Sequence, residues 1–100
     1  MPAMIVLNAY GFLKTEMIDL AKAVSKTNKA NALQEPGCLR FDYYFSVEEP
    51  NKFVFVEEWS TKADLDFHFA QQGFADFMAA LSGCLEGAPD IRVFDATLLA

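Results

Sequence analysis

A chain of 100 residues with a net charge of -6 and 53% apolar residues is sized for one domain, residues 1–100. The negative charge argues against nucleic acid, whose phosphates demand clustered Lys and Arg, and no apolar run approaches the roughly 20 residues of a membrane span. The N-terminus has neither the basic region nor the long apolar core of a signal peptide, so a soluble cytoplasmic protein is expected.

Met4 to Tyr10 is an apolar run of strand length, closed by Gly11. From Lys14 to Gln34 the period becomes helical, with Met17, Leu20, Ala21 and Val24 on one stripe and the charges mostly on other faces. Pro36 turns Gln34 and Glu35 away from helical geometry, and Gly37 permits the positive φ of a tight turn. Leu39, Phe41, Tyr43, Phe45 and Val47 then alternate with polar or amphipathic neighbours, the period of a strand. Glu48 to Asn51 connects it to a second strand, Lys52 to Trp59, apolar on both faces over its first half. Arg40 and Glu57 are expected to pair across this hairpin.

Thr61-x-x-Asp64 has the form of a capping box and opens a helix with Leu65, His68 and Phe69 on one face. Gly73 is expected to break or bend that helix. Phe74, Phe77, Met78 and Leu81 form a second amphipathic stripe, and Asp90 to Leu98 reads as a last strand. Cys38 and Cys84 form no CxxC pair and read as reduced, buried small residues.

The resulting order, β-α-β-β-α-β, suits an α+β ferredoxin-like fold: a four-stranded antiparallel sheet with helices on one face. Two of the strands carry large apolar residues on both sides, so the second face needs cover. Stacking two copies face to face hides those rings, which predicts a homodimer closing a dimeric α/β barrel.

Three segments carry a resemblance. Glu35-Pro36-Gly37-Cys38-Leu39-Arg40-Phe41-Asp42, Phe53-Val54-Phe55-Val56-Glu57-Glu58-Trp59 and Ala63-Asp64-Leu65-Asp66-Phe67-His68 resemble the antibiotic biosynthesis monooxygenase domain. That family includes quinol monooxygenases, anthrone oxygenases, haem-degrading monooxygenases and an isomerase of a phosphorylated sugar, and it implies a dimeric barrel of ferredoxin-like subunits. Many members carry a second histidine in a Ser-Pro-His-Phe run where this chain has Gln71-Gln72-Gly73-Phe74. The haem-degrading branch places an iron-ligating histidine near the position of Met78, which argues against haem here.

His68 is the candidate general base, since an imidazole accepts a proton near neutral pH. The alternative is a core histidine bonded to Asn8, a tyrosine or a backbone carbonyl. Asn8, polar within an apolar strand, is a candidate to position the substrate. Trp59, Tyr43, Phe74 and Met78 are candidates to line an aromatic pocket. One histidine, two distant cysteines and scattered carboxylates lack the spacing of metal ligands, and no cofactor motif is present. The expected activity is cofactor-independent monooxygenation of a quinol-like or polycyclic aromatic substrate by O₂. A substrate that is itself a reductant needs only binding, exclusion of water and removal of a proton. The alternatives are a non-enzymatic dimeric barrel binding a small hydrophobic ligand, and an isomerase of a small phosphorylated or keto compound.

Overall fold

A computed structural model describes residues 3–100 of the chain; Met1 and Pro2 lie outside the described residues. The elements are β1 (Ala3–Phe12), a 3-10 turn (Thr15–Met17), α1 (Ile18–Ala32), β2 (Cys38–Phe45), β3 (Lys52–Trp59), α2 (Lys62–Phe69), α3 (Gln72–Ser82) and β4 (Asp90–Thr97). The strands form one antiparallel sheet in the order β2-β3-β1-β4. This is the expected ferredoxin-like α+β arrangement, with its second helical segment in two pieces. No helix among the described residues is long and apolar enough to cross a membrane.

Side chains alternate across a strand, so burial assigns the two faces of the sheet. Leu7, Phe41, Phe53, Phe55 and Trp59 form one core with Leu65, Phe77 and Leu81 of the helices. Their neighbours of opposite parity, including Tyr10, Phe12, Tyr44 and Phe94, stay exposed on the other face. Strand β4 is exposed along almost its whole length. Even Val93, paired with the buried Leu7, is open to solvent, so the helices stop short of this edge.

Four local expectations need correction. Strand β1 runs on through Gly11, which pairs with Phe53. A Cβ at Gly11 would meet the Phe53 ring at 2.8 Å, so this glycine makes room for a ring and does not end the strand. The helical break falls at Gln71, which is extended, and Gly73 lies inside the first turn of α3. A bulge between Cys38 and Arg40 leaves Leu39 exposed. The same bulge pairs Arg40 with Glu58, their charged atoms 3.4 Å apart, while Glu57 turns inward.

The turn after α1 is held from both sides. Gly37 has φ 74, as its place after Pro36 predicts. Its carbonyl accepts the Ser60 N–H at 2.8 Å. The Asp64 carboxylate occupies the space a Cβ would need, so only glycine fits. This turn carries Glu35, and through it the first helix is tied to the start of α2.

Candidate active site

Helix α2 begins where the sequence places it. Thr61 is its N-cap, and the Asp64 N–H donates to Thr61 Oγ1 at 3.1 Å. That start directs Leu65 and His68, three residues apart, toward the sheet, where His68 is 1% exposed. Its imidazole packs against Trp59 of β3 at 4.8 Å between centroids, Phe74 of α3 at 5.0 Å, and Phe41 and Phe69 at 5.9 Å.

One polar contact fixes this ring. Nδ1 of His68 lies 2.6 Å from Glu35 Oε1, within hydrogen-bonding distance. A carboxylate only accepts, so a neutral imidazole beside it carries its proton on Nδ1 and keeps the lone pair on Nε2. Nε2 is buried and has no hydrogen-bond partner among the described residues. Leaving such a group unpaired costs about 1–3 kcal/mol. An atom of that kind in a native fold calls for an explanation, and a catalytic role is one.

A second acid, more deeply buried than Glu35, stands on strand β3. Trp59 Nε1 donates to Glu57 Oε1 at 3.1 Å, and Glu57 is 6% exposed. Burial pushes the Glu57 carboxyl up to about 7, although the Trp59 N–H pulls the other way; the charge of Glu35 adds to the rise. Trp59 therefore touches His68 with its ring and Glu57 with its N–H.

Beside this cluster lies a cavity of about 70 Å³ between α3 and the sheet. Phe69, Phe74, Phe77 and Met78 form its helical wall, and Leu7 and Phe55 belong to its floor. Glu57 and Asn28 of α1 also border it, through apolar atoms only. His68 stands one layer back, behind the rings of Phe69 and Phe74.

The structure thus brings Phe74 and Met78 to the cavity, with His68 and Trp59 packed beside it. It does not bring the other two candidates there. Asn8 lies between Leu7 and Ala9, both on the cavity side, so its side chain points to the opposite face of the sheet. A pairing of Asn8 with His68, or joint action on one substrate inside this subunit, is excluded by that parity. Tyr43 borders a separate gap of about 10 Å³ beneath α1, with Phe45 and Ala21. Both cysteines are free thiols. Burial foremost, with the charges of Glu57 and Glu35, pushes Cys38 up to about 11, which favours the thiol over the thiolate near neutral pH.

Sequence reasoning missed Glu35, Glu57 and Asn28. Glu57 left a signal, since Phe53, Phe55, Glu57 and Trp59 share one parity and three of them are core aromatics. Glu35 left none, because its partner lies 33 residues away across the turn.

A ferredoxin-like α+β domain with an imidazole–carboxylate pair sunk beside an aromatic cavity defines a class of small-molecule proteins. Within it, the chain belongs to the antibiotic biosynthesis monooxygenase family, whose model matches residues 4–80. It is 33% identical over 90 residues to "Putative monooxygenase YcnE" of Bacillus subtilis, covering 88% of this chain and 93% of that protein. It is 32% identical over 72 residues to the uncharacterized protein sll1783 of Synechocystis, covering 72% of this chain. That match spans only 49% of the Synechocystis protein. Among solved structures, a conserved protein from Methanosarcina mazei superposes with a TM-score of 0.91 at 27% identity, covering 97% of this chain and 95% of that one.

Proposed function

We propose that this protein is a cofactor-independent monooxygenase that oxidises a quinol-type aromatic with O₂ and uses His68 as general base. The observation that carries this reading is the buried, unpartnered Nε2 of an imidazole whose other nitrogen is held by Glu35, beside an apolar cavity. A phenolic hydroxyl admitted past Phe69 and Phe74 gives its proton to Nε2, and the forming imidazolium is stabilised by Glu35. The aryloxide left in an apolar, water-poor site is electron-rich enough to reduce O₂ by one electron and then recombine with it. A hydroquinone plus O₂ gives a hydroxyquinone plus water, so the substrate supplies every electron.

The cavity bears on substrate size. Its 70 Å³ is less than half of the roughly 150 Å³ that admits benzene in an engineered apolar site. Entry of one ring already requires Met78 or the phenylalanines to turn, which favours a single-ring substrate over a polycyclic one. No Lys or Arg is on the cavity wall among the described residues, which disfavours the isomerase of a phosphorylated compound.

Oxygen uptake on a panel of hydroquinones, with chelator present, tests the reading. Wild type is expected to consume O₂ stoichiometrically with at least one of them, and His68→Ala to lose about 10²–10⁴-fold in rate. Equal rates for the two proteins on every substrate would remove His68 from the chemistry.

A homodimer belongs to the same proposal. Tyr10, Phe12, Tyr44 and Phe94 on the uncovered sheet face are exposed, and burying each ring contributes about 1.5–3 kcal/mol. Light scattering at micromolar concentration is expected to give twice the chain mass, and Tyr44→Lys to shift it toward the monomer. A wild-type mass of one chain would contradict the pairing.

A further inference from the structure

The imidazole proposed as base is shut off from the cavity beside it. His68 Nε2 is buried without a hydrogen-bond partner among the described residues, and the atoms bordering the cavity are apolar. A ligand in the cavity meets Nε2 only after a side chain has moved.

Four rings pack on the imidazole, and they are not equally free. Trp59 and Phe41 belong to the core and are 0% and 1% exposed. Turning either away would empty space in a close-packed interior. Phe69 is 39% exposed and Phe74 is half-buried. These two lie against each other, 5.1 Å between centroids, with the imidazole on one side and the cavity on the other. The route that sacrifices least packing runs between them.

We propose that Phe69 and Phe74 form a two-ring gate between the cavity and His68 Nε2, with the first turn of α3 as its moving part. The purpose of the gate rests on the monooxygenase reading, in which a ring must reach that nitrogen. Phe69 closes α2 and Phe74 stands in the first turn of α3. Between them the helix breaks at Gln71, which is extended at φ -77 and ψ 145.

The turn that carries Phe74 is weakly held. Gln71 is the N-cap of α3 and makes no side-chain cap; its amide donates backwards to the Phe67 carbonyl at 2.7 Å. The first N–H groups of a helix gain stability when a side-chain oxygen accepts from them, as Thr61 does for α2. Gly73 lies in the same turn, and glycine gains more freedom than any other residue when a turn unwinds. Its small size admits Asn31 of α1, whose Nδ2 would lie 3.2 Å from a Cβ at this position. A missing cap and a glycine both favour local unwinding, which draws Phe74 away from the imidazole. Segments held this loosely open at a free energy well below that of global unfolding. At rest the closed rings keep water from Nε2, and an arriving ring takes the place of Phe74.

Carbethoxylation by diethyl pyrocarbonate tests the gate without turnover. The reagent attacks the lone pair of a neutral imidazole, and His68 is the single histidine of the chain. The ultraviolet band of the modified ring therefore reports one site. Wild type is expected to react about 10²-fold or more slowly than free N-acetylhistidine. Phe74→Ala should react at least about tenfold faster than wild type. Gln71→Ser, which supplies the missing cap, should react about fivefold more slowly. Rates are compared on the pH plateau where the imidazole is neutral, so that an altered titration does not mimic opening. Urea unfolding curves separate local opening from a loss of global stability, and Phe69→Ala takes the place of Phe74→Ala if the latter does not fold. A wild-type rate equal to that of N-acetylhistidine, or an unchanged rate on removing the gate ring, overturns the gate. An unchanged rate in Gln71→Ser overturns the unwinding of α3 as its movement. These rates are independent of the oxygen-uptake comparison between wild type and His68→Ala, so the gate and the monooxygenase reading can each fail alone.

Discussion

Glu35→Gln is expected to lower the oxidation rate by about 10²–10⁴-fold while leaving the fold in place. The side chain keeps its shape and its reach to His68 Nδ1, now 2.6 Å from Glu35 Oε1. What changes is the direction of the bond. A glutamine amide can donate to Nδ1, which moves the ring proton to Nε2 and removes the lone pair proposed to accept the phenolic proton. It also removes the charge that stabilises the imidazolium. In the serine protease triad, the equivalent carboxylate-to-amide change costs about 10⁴ for the same reason. Steady-state oxygen uptake, with a urea unfolding curve as control, measures both halves of the claim. A Glu35→Gln protein as active as wild type would show that the carboxylate has no part in catalysis.

The second large effect is on stability and concerns Glu57. Unfolded, its carboxyl titrates near the ordinary 4.5; folded, burial moves it to about 7. Below pH 4.5 the group is protonated in both states and folding carries no penalty. Between 4.5 and 7 the unfolded chain releases the proton and the folded one retains it, so stability falls as pH rises. Above about 7 both states are ionised and the loss is complete, at about 3 kcal/mol. For a domain of this size that is a substantial part of a total of about 5–15 kcal/mol. Glu57→Gln should abolish this component, making the variant more stable than wild type at pH 8 and close to it at pH 4.5. Urea midpoints for the two proteins across that range give the answer. A difference between them that does not vary with pH would mean that Glu57 ionises normally in the folded state.

The opposing groups around Glu57 explain why one acid carries this effect. From its own strand it meets the Trp59 N–H, which favours the charged form, and across the turn the charge of Glu35, which opposes it. Desolvation outweighs the Trp59 N–H, and Glu35 acts in the same sense as burial. Asp42, by contrast, lies near the β2 edge, where Lys29 reaches it at 2.8 Å and lowers its titration, in the opposite sense. A charged partner at the surface and an apolar wall in the interior give two carboxyls of one sheet opposite behaviour.

Much of the architecture was legible in the chain. The alternation from Phe41 to Phe45, the Thr61–Asp64 cap and the Gly37 turn each have one local solution, and the structure adopts all three. Lys52–Trp59 was bounded by a turn and a cap and emerged as β3 with those limits. Misplacements occurred where a distant ring or a bulge overrode a local signal. Gly11 reads as a terminator until Phe53 is seen lying on it. Arg40 reads as a partner of Glu57 until the Leu39 bulge shifts the register by one residue.

The site was less legible, and for a physical reason. Strand parity is readable within a strand and sets Asn8 on the face opposite Leu7 and Ala9. Which parity meets the helices is decided only when they dock. The His68–Glu35 contact depends on two segments that no periodicity connects. Asn28 sits on a helix with several polar residues, and only packing shows which of them is buried.

One feature of the cluster makes it observable by light. The chain holds a single tryptophan, and that indole lies on the imidazole of His68 while bonding the acid Glu57. Excited at wavelengths that tyrosine does not absorb, its emission arises wholly from the site. Protonation events, an arriving ring and a displaced carboxyl would each alter its colour or yield. The unlabelled protein is therefore its own optical sensor.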